Sequence, residues 1–317
     1  MITVLKPGLL TTVQDRGRTG YRAFGMPVAG AMDQRSLRFA NLLAGNAPEL
    51  AALEMTLAGP TLRFERETYV ALCGADMNAT LDGRPIANGS GFLAGAGSVL
   101  VVGFAAAGCR AYLAVHGGIE VPLVLGSRST YTRGGLGGHR GRALRAGDVL
   151  AVGASGSEPA PRTLPPDALP RIGRGAVLRV LRGPQDDRFL EEGIRTFLGS
   201  GYLVSNRNDR MGYQLDGPVI HHRASADIVS DALCAGAIQV PGRGTPIVLM
   251  ADAQTTGGYA KIATVIGADL PVMAQARTGD EVTFRAVSDD EAVAALVAEQ
   301  SIAAEVESTL RGSRPAT

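Results

Sequence analysis

The sequence predicts a mainly β protein made of two related halves, and three observations predict it. Short β-branched or apolar runs alternate with glycine-containing turns. A proline-rich seam divides the chain near its middle. Short motifs of the first half recur in the second.

The strand-like runs lie at 69–72, 98–102, 112–115, 177–181, 246–250 and 281–284. The chain has 42 glycines, about twice the average share, as many tight turns and bulges require. Regular strands with dense turns point to sandwich or barrel domains. Helices are few. Asp33 is placed to cap one running to Leu43, with Gly45 beyond its end. Leu190, Ile194, Phe197 and Leu198 keep helical spacing, and Ser288 with Glu291 forms a capping box opening a last amphipathic helix towards Leu310.

The seam spans 154–173, where Pro159, Pro161, Pro165, Pro166 and Pro170 fall among small and polar residues. Proline removes backbone donors, so this stretch is excluded from a sheet interior and is expected to link two domains. The expected division is 1–160, a linker at 161–173, and 174–317 carrying the terminal helix. An echo supports it: Met77-x-x-x-Leu81-Asp82-Gly83 recurs 134 residues later from Met211, and Gly147-Asp148 recurs 132 residues later as Gly279-Asp280. A near-equal offset in the same order indicates tandem duplication.

Composition excludes several classes. A net charge of +1, from 31 basic and 30 acidic residues, gives no field for nucleic acid or an anionic membrane. The longest apolar run, near 99–109, is too short to span a bilayer. The start lacks the charged and apolar regions of a signal peptide, so a cytoplasmic protein is expected. Cys73, Cys109 and Cys234 are odd in number and set in apolar stretches, as expected of buried thiols in a reducing compartment. Only Lys6 and Lys261 offer an amine. His116, His139, His221 and His222 have no metal-site spacing, and neither a phosphate-binding P-loop nor a serine nucleophile elbow is present.

The densest run of reactive side chains is Asp252-Ala253-Gln254-Thr255-Thr256-Gly257-Gly258-Tyr259, following an apolar strand. It fits recognition of a small molecule carrying amide and carboxylate groups, with Asp252 as base; it equally fits a tight turn satisfying its own backbone. A second cluster, 127–145, combines glycines with Arg128, Arg133, Arg140 and Arg142, as an anion nest or as a solvated basic loop. Asp15 lies beside Arg16 and Arg18, a local ion-pair turn. Arg210 can clamp a carboxylate or pair with Asp209.

These segments, together with Gly30-Ala31-Met32-Asp33, Leu53-Glu54, Gly183-Pro184-Gln185 and Gly236-Ala237-Ile238-Gln239-Val240-Pro241, resemble the bacterial family of 5-oxoprolinase C subunits. That family is also described as allophanate hydrolase subunit 2, kinase-inhibitor antagonist or biotin-dependent carboxyltransferase-like. The resemblance implies two tandem cyclophilin-like β-barrel domains. It implies action with two partners, a kinase-inhibitor-like B subunit together with an A subunit, in a complex that opens 5-oxoproline to glutamate using ATP with magnesium. Carried onto this chain, it makes Asp252 and Tyr259 catalytic. Gln254, Thr255, Thr256, Gly257, Gly258 and Arg210 become substrate-binding, the four arginines of the second cluster bind phosphate, and no metal is held by the protein. Two alternatives share the fold: a carboxyltransferase half-site of a urea carboxylase-like system with biotin, and a non-enzymatic antagonist of a kinase-inhibitor-like partner. Ala253 and Ala260 stand where the family commonly has Arg and Pro, and Gln214 stands in place of another Arg.

Overall fold

A computed structural model describes every residue except 155, 157, 158, 166, 167, 169–174 and 313–317, and the side chains of 311 and 312. The chain divides into two compact units. The first comprises Met1–Arg18, Ala29–Ile172 and Gln300–Thr317; the second comprises Thr19–Val28 and Gly173–Glu299.

In the first unit, a seven-stranded sheet runs in the order 119–120, 149–152, 2–6, 61–64, 99–101, 80–81, 84–85. A six-stranded sheet runs 162–163, 90–94, 68–76, 107–115, 52–56, 10–14. Successive strand residues point to opposite faces, and this alternation builds two cores. From Ala107–Val115, residues Ala111, Leu113 and Val115 join a cluster with Ile2, Leu62, Phe64 and Leu100 of the other sheet. Tyr112 and Ala114, on the opposite face, pack with helix α1, Gln34–Leu43, through Leu37, Phe39 and Leu43. Each fully buried leucine there contributes about 1.5–3 kcal/mol. Helix α1 starts as the sequence predicts, with Asp33 accepting from Ser36 N at 2.9 Å.

Among the described residues the strands of this unit form two sheets sharing a core, within the expected range of sandwich or barrel domains. Three of their four edges are two-residue strands, one containing Pro85, which has no donor to extend the ladder; the fourth is the five-residue strand Leu10–Gln14.

The second unit contains a closed barrel. Its strands follow the order Ala176–Arg182, Lys261–Val265, Ala237–Gln239, Ile247–Leu249, Gly212–Asp216, Tyr202–Asn208, Glu281–Ala286, and the last pairs in parallel with the first. Helix α2, Glu191–Gly199, lays Phe197 on Phe284 at 4.5 Å between ring centroids. The five-residue helix α3, Leu270–Ala274, is tied to the barrel by Asp269, whose carboxylate takes both Arg179 Nε at 3.0 Å and Arg179 Nη2 at 2.6 Å. Strands Asp227–Ala232 and Thr256–Tyr259 form a separate two-stranded ribbon.

The Gly-Asp echo is a true structural repeat. Gly147 N bonds Val4 O and Gly279 N bonds Val204 O, both at 2.8 Å, while Val4 N and Val204 N return to Asp148 O and Asp280 O at 2.9 Å. In each, the aspartate side chain caps the arginine three residues before it, Arg145 N at 2.7 Å and Arg277 N at 2.8 Å. The Leu-Asp-Gly echo is not. Asp82 and Gly83 form a left-handed two-residue turn between strands 80–81 and 84–85, whereas Leu215-Asp216 ends a barrel strand paired with Leu203 and Val204.

The expected linker is described only at 161–165 and 168. Arg162–Thr163 is an edge strand of the first unit, and Leu164 and Ala168 are buried in its core, because the prolines permit an edge position while the apolar residues between them still find cover. Helix α4, Asp289–Gly312, opens on the predicted capping box, with Ser288 N to Glu291 Oε2 at 2.8 Å and Glu291 N to Ser288 Oγ at 3.2 Å. The expectation gave this helix wholly to the second domain. Its later half belongs to the first unit, where Ala303, Val306 and Leu310 enter the α1 core.

Candidate functional site

The chain leaves the barrel strand Ile247–Leu249 and turns at Ala251-Asp252. Asp252 is 3% exposed and Arg210 5% exposed. Arg210 Nε donates to Asp252 Oδ2 at 3.0 Å, Nη2 donates to Oδ1 at 2.9 Å, and Asp252 N donates to Arg210 O at 2.9 Å. The residues expected separately as base and as substrate clamp are therefore partners. To take a proton, Asp252 would give up charge-assisted bonds made in a buried place. Asp209, the other candidate partner, instead accepts Met211 N at 2.7 Å and Gly212 N at 3.2 Å.

Beyond Asp252 the string becomes a strand rather than a tight turn. Leu233 N reaches Thr255 O and Ala260 N reaches Ala226 O, both at 3.0 Å, at the two ends of the ribbon. Gln254, Thr256 and Tyr259 are exposed, and Thr255, Gly257 and Gly258 are half-buried. Leu233 and Gln239 close over Gly257: a Cβ there would sit 2.8 Å from Leu233 Cδ1 and 2.9 Å from Gln239 Nε2.

At the base of the ribbon four residues meet that the sequence reading did not assign to the site. Lys261 is 5% exposed; its Nζ donates to Asp231 Oδ2 at 2.5 Å and to Ala232 O at 2.8 Å. Gln185 Nε2 donates to the same Asp231 oxygen at 3.2 Å, while Gln185 Oε1 accepts Lys261 N at 3.2 Å. Gln239 Nε2 donates to Tyr259 O at 3.3 Å. Lys261, joined by the Gln185 amide and Ala232 N–H, holds the Asp231 carboxyl below its ordinary range. Gly183 makes the approach possible, since a Cβ there would strike the backbone of Lys261 and Ile262. The signals were present in the sequence: Lys261 is one of two lysines, and both glutamines lie in motif segments.

The arginine-rich cluster lies in the first unit. Arg128 Nε donates to Val121 O at 3.0 Å, and Arg142 binds both Asp148 oxygens at 2.7 and 2.8 Å. His139 Nε2 stands 3.3 Å from Asp148 Oδ1. Residues 132–135, Arg133 among them, and Arg140 are exposed, while Arg142 and the Arg128 Nε are engaged within the unit. Gly137 and Gly138 are left-handed and pressed against Ser129 and Thr130, so their backbone is fixed by contact. Asp15 does not pair with its neighbouring arginines either. Its carboxylate accepts Ser127 Oγ at 2.7 Å, Ser129 Oγ at 2.5 Å and Gly17 N at 2.8 Å, and Arg18 donates to the carbonyls of Val124 and Ser129.

Cys73 and Cys109 are buried as expected, but Cys234 is exposed, because it lies in the turn between the ribbon and strand Ala237–Gln239. Among the described residues no group of three His, Cys, Asp or Glu is placed to hold a metal, and no helix is long and apolar enough to cross a membrane.

Residues 24–286 match the family model described as carboxyltransferase domain, subdomain A and B. The chain is 40% identical to the 5-oxoprolinase C subunit of Escherichia coli (strain K12) over 295 residues, covering 93% of this chain and 94% of that protein. It is 36% identical to the urea amidolyase of Lachancea kluyveri over 310 residues, covering 90% of this chain and 17% of that protein. The crystal structure of the K. lactis urea amidolyase superposes with a TM-score of 0.91 at 35% identity, over 96% of this chain and 20% of that one. The chain thus spans about a fifth of the urea amidolyases and nearly all of the E. coli oxoprolinase protein. It belongs to the carboxyltransferase subdomain A and B family, alongside the 5-oxoprolinase C subunits.

Proposed function

We propose that this chain is the C subunit of an ATP-dependent 5-oxoprolinase, acting with A and B subunits to open the lactam of 5-oxoproline to glutamate. The observation that carries the reading is end-to-end correspondence with the E. coli 5-oxoprolinase C subunit, 93% of one chain on 94% of the other. The site chemistry supports it. A lactam acid presents an amide N–H, a carbonyl and a carboxylate, and the ribbon base presents the amides of Gln185 and Gln239 and a lysine. In this reading those groups orient the lactam, and Asp252 acts by holding Arg210 and the turn rather than as base.

ATP makes the lactam oxygen a leaving group. The arginines expected to hold its phosphates do not fit that task as a set, since Arg142 is committed to Asp148 and Arg128 Nε to a backbone carbonyl. No ATP step is assigned to them. A carboxyltransferase half-site using biotin is the second reading, favoured by the TM-score of 0.91 to urea amidolyase.

The test is co-expression with cognate A and B subunits and measurement of glutamate from 5-oxoproline, with and without ATP. Release that requires ATP and all three chains is expected. A stable complex without ATP-dependent release, or one that instead carboxylates a substrate from carboxybiotin, overturns the proposal.

A further inference from the structure

The geometry points to a carboxylate-binding cradle formed by Lys261 and Gln185, which the chain's own Asp231 fills at rest and which a ligand carboxylate enters by displacing Asp231. Naming the ligand as a lactam acid rests on the function proposed above; the cradle itself rests on the geometry alone.

Three donors surround the Asp231 carboxylate. Lys261 Nζ at 2.5 Å and Gln185 Nε2 at 3.2 Å meet Oδ2, and Ala232 N at 2.7 Å meets Oδ1. This is the donor set that a free carboxylate requires, combining charge with fixed direction. The two ionic partners are unequal: the Lys261 side chain is 6% exposed and that of Asp231 is 48% exposed. Lys261 is locked by its place in the barrel, by Gln185 on its backbone N–H and by Ala232 O on its ammonium. Asp231 is carried on the ribbon, in a strand whose register is irregular between Asp227 and Asp231. Rotation of one side chain into solvent is enough to free the cradle. A half-exposed ion pair resists such exchange weakly, whereas a buried ammonium left without an anion is strongly disfavoured, so the vacated cradle selects an anion.

The experiment uses the full chain, with Asp231→Ala and the near-isosteric Asp231→Asn, both verified as folded by circular dichroism. Calorimetric titrations use 5-oxoproline, 2-pyrrolidinone (the same ring without the carboxylate) and glutarate. With the internal competitor gone, 5-oxoproline affinity is expected to rise roughly five-fold or more, while 2-pyrrolidinone is unchanged. Lys261→Met in the Asp231→Asn background removes the gain. Unchanged or weaker binding of both carboxylates, or an equal gain for 2-pyrrolidinone, overturns the cradle. A gain for glutarate but not for 5-oxoproline keeps the cradle and removes the lactam acid as its ligand. Absence of glutamate release in the three-subunit assay, with the carboxylate gain present, removes the enzymatic reading and leaves the cradle standing.

Discussion

Asp252→Ala removes two carboxylate acceptors from the Arg210 guanidinium, at 3.0 Å from Nε and 2.9 Å from Nη2, where Asp252 is 3% and Arg210 5% exposed. Breaking a buried pair by deleting one member costs about 3–5 kcal/mol, because the remaining charge loses its counterion in a low-dielectric place. With a urea dependence of about 3 kcal/mol per molar, the unfolding midpoint should fall by about 1–1.7 M. Equilibrium urea denaturation followed by far-UV circular dichroism and tyrosine fluorescence reads this directly, since the chain has no tryptophan. Activity of the three-subunit complex should fall in step with stability. The double variant Arg210→Met with Asp252→Leu replaces the pair by apolar groups of similar size, and should recover most of the lost stability, a non-additivity that a cycle of the four proteins measures. A variant Asp252→Ala that unfolds at the wild-type midpoint yet has lost all activity would refute this reasoning and restore Asp252 as the base.

Two further outcomes follow from buried ionisable groups. The Asp148 carboxyl is held well below the usual range, first by its hydrogen bonds from Arg142, with Arg145 N and His139 adding. A depressed folded pKa contributes stability that is complete above the unfolded value, near 4, and fades as pH falls towards the folded one. The stability gap between wild type and Asp148→Asn should therefore be present above about pH 4 and shrink below it; a gap undiminished down to about pH 2.5 contradicts it. The Cys73 thiol is pushed up to about 12, mainly by burial, with the Asp33 charge adding. A thiol reagent at pH 8 should modify Cys234 in the native chain and leave Cys73 intact, so Cys234→Ser abolishes the native reaction; mass spectrometry finding Cys73 labelled in folded protein would be the contrary result.

What the sequence made legible was local. The Asp33 cap, the Ser288–Glu291 box and the Gly-Asp turns each depend on residues within a few positions, so residue type and spacing suffice. The Leu-Asp-Gly repeat failed for the complementary reason: the three residues tolerate either a left-handed turn or a strand end, and the neighbouring strands decide. Arg210 meets Asp252 across 42 positions and Lys261 meets Asp231 across 30, pairings set by which strands lie adjacent in the barrel and ribbon. No period in the sequence encodes that adjacency. The polar string at 252–259 was therefore found as a segment, but its anchoring partners were not.

The two alanines that depart from the family pattern fall at opposite ends of this string, and the local packing explains how each is accommodated. Ala253 is 5% exposed and packs with Leu233, Ala237 and Leu249. A guanidinium at that position would have to enter this apolar cluster, where an unpaired charge costs several kcal/mol, or push the turn outward. Ala260 is fully buried; its N–H donates to Ala226 O at 3.0 Å and its carbonyl accepts Val240 N at 3.1 Å. Proline there would delete the first of these bonds, which ties the end of the Gly-Gly-Tyr strand to the start of its ribbon partner. The ribbon of this chain is thus secured by a backbone bond at Ala260 and by the Lys261–Asp231–Gln185 contacts one residue further on. Neither alanine supplies one of the three donors to Asp231, so both departures are compatible with an intact carboxylate cradle.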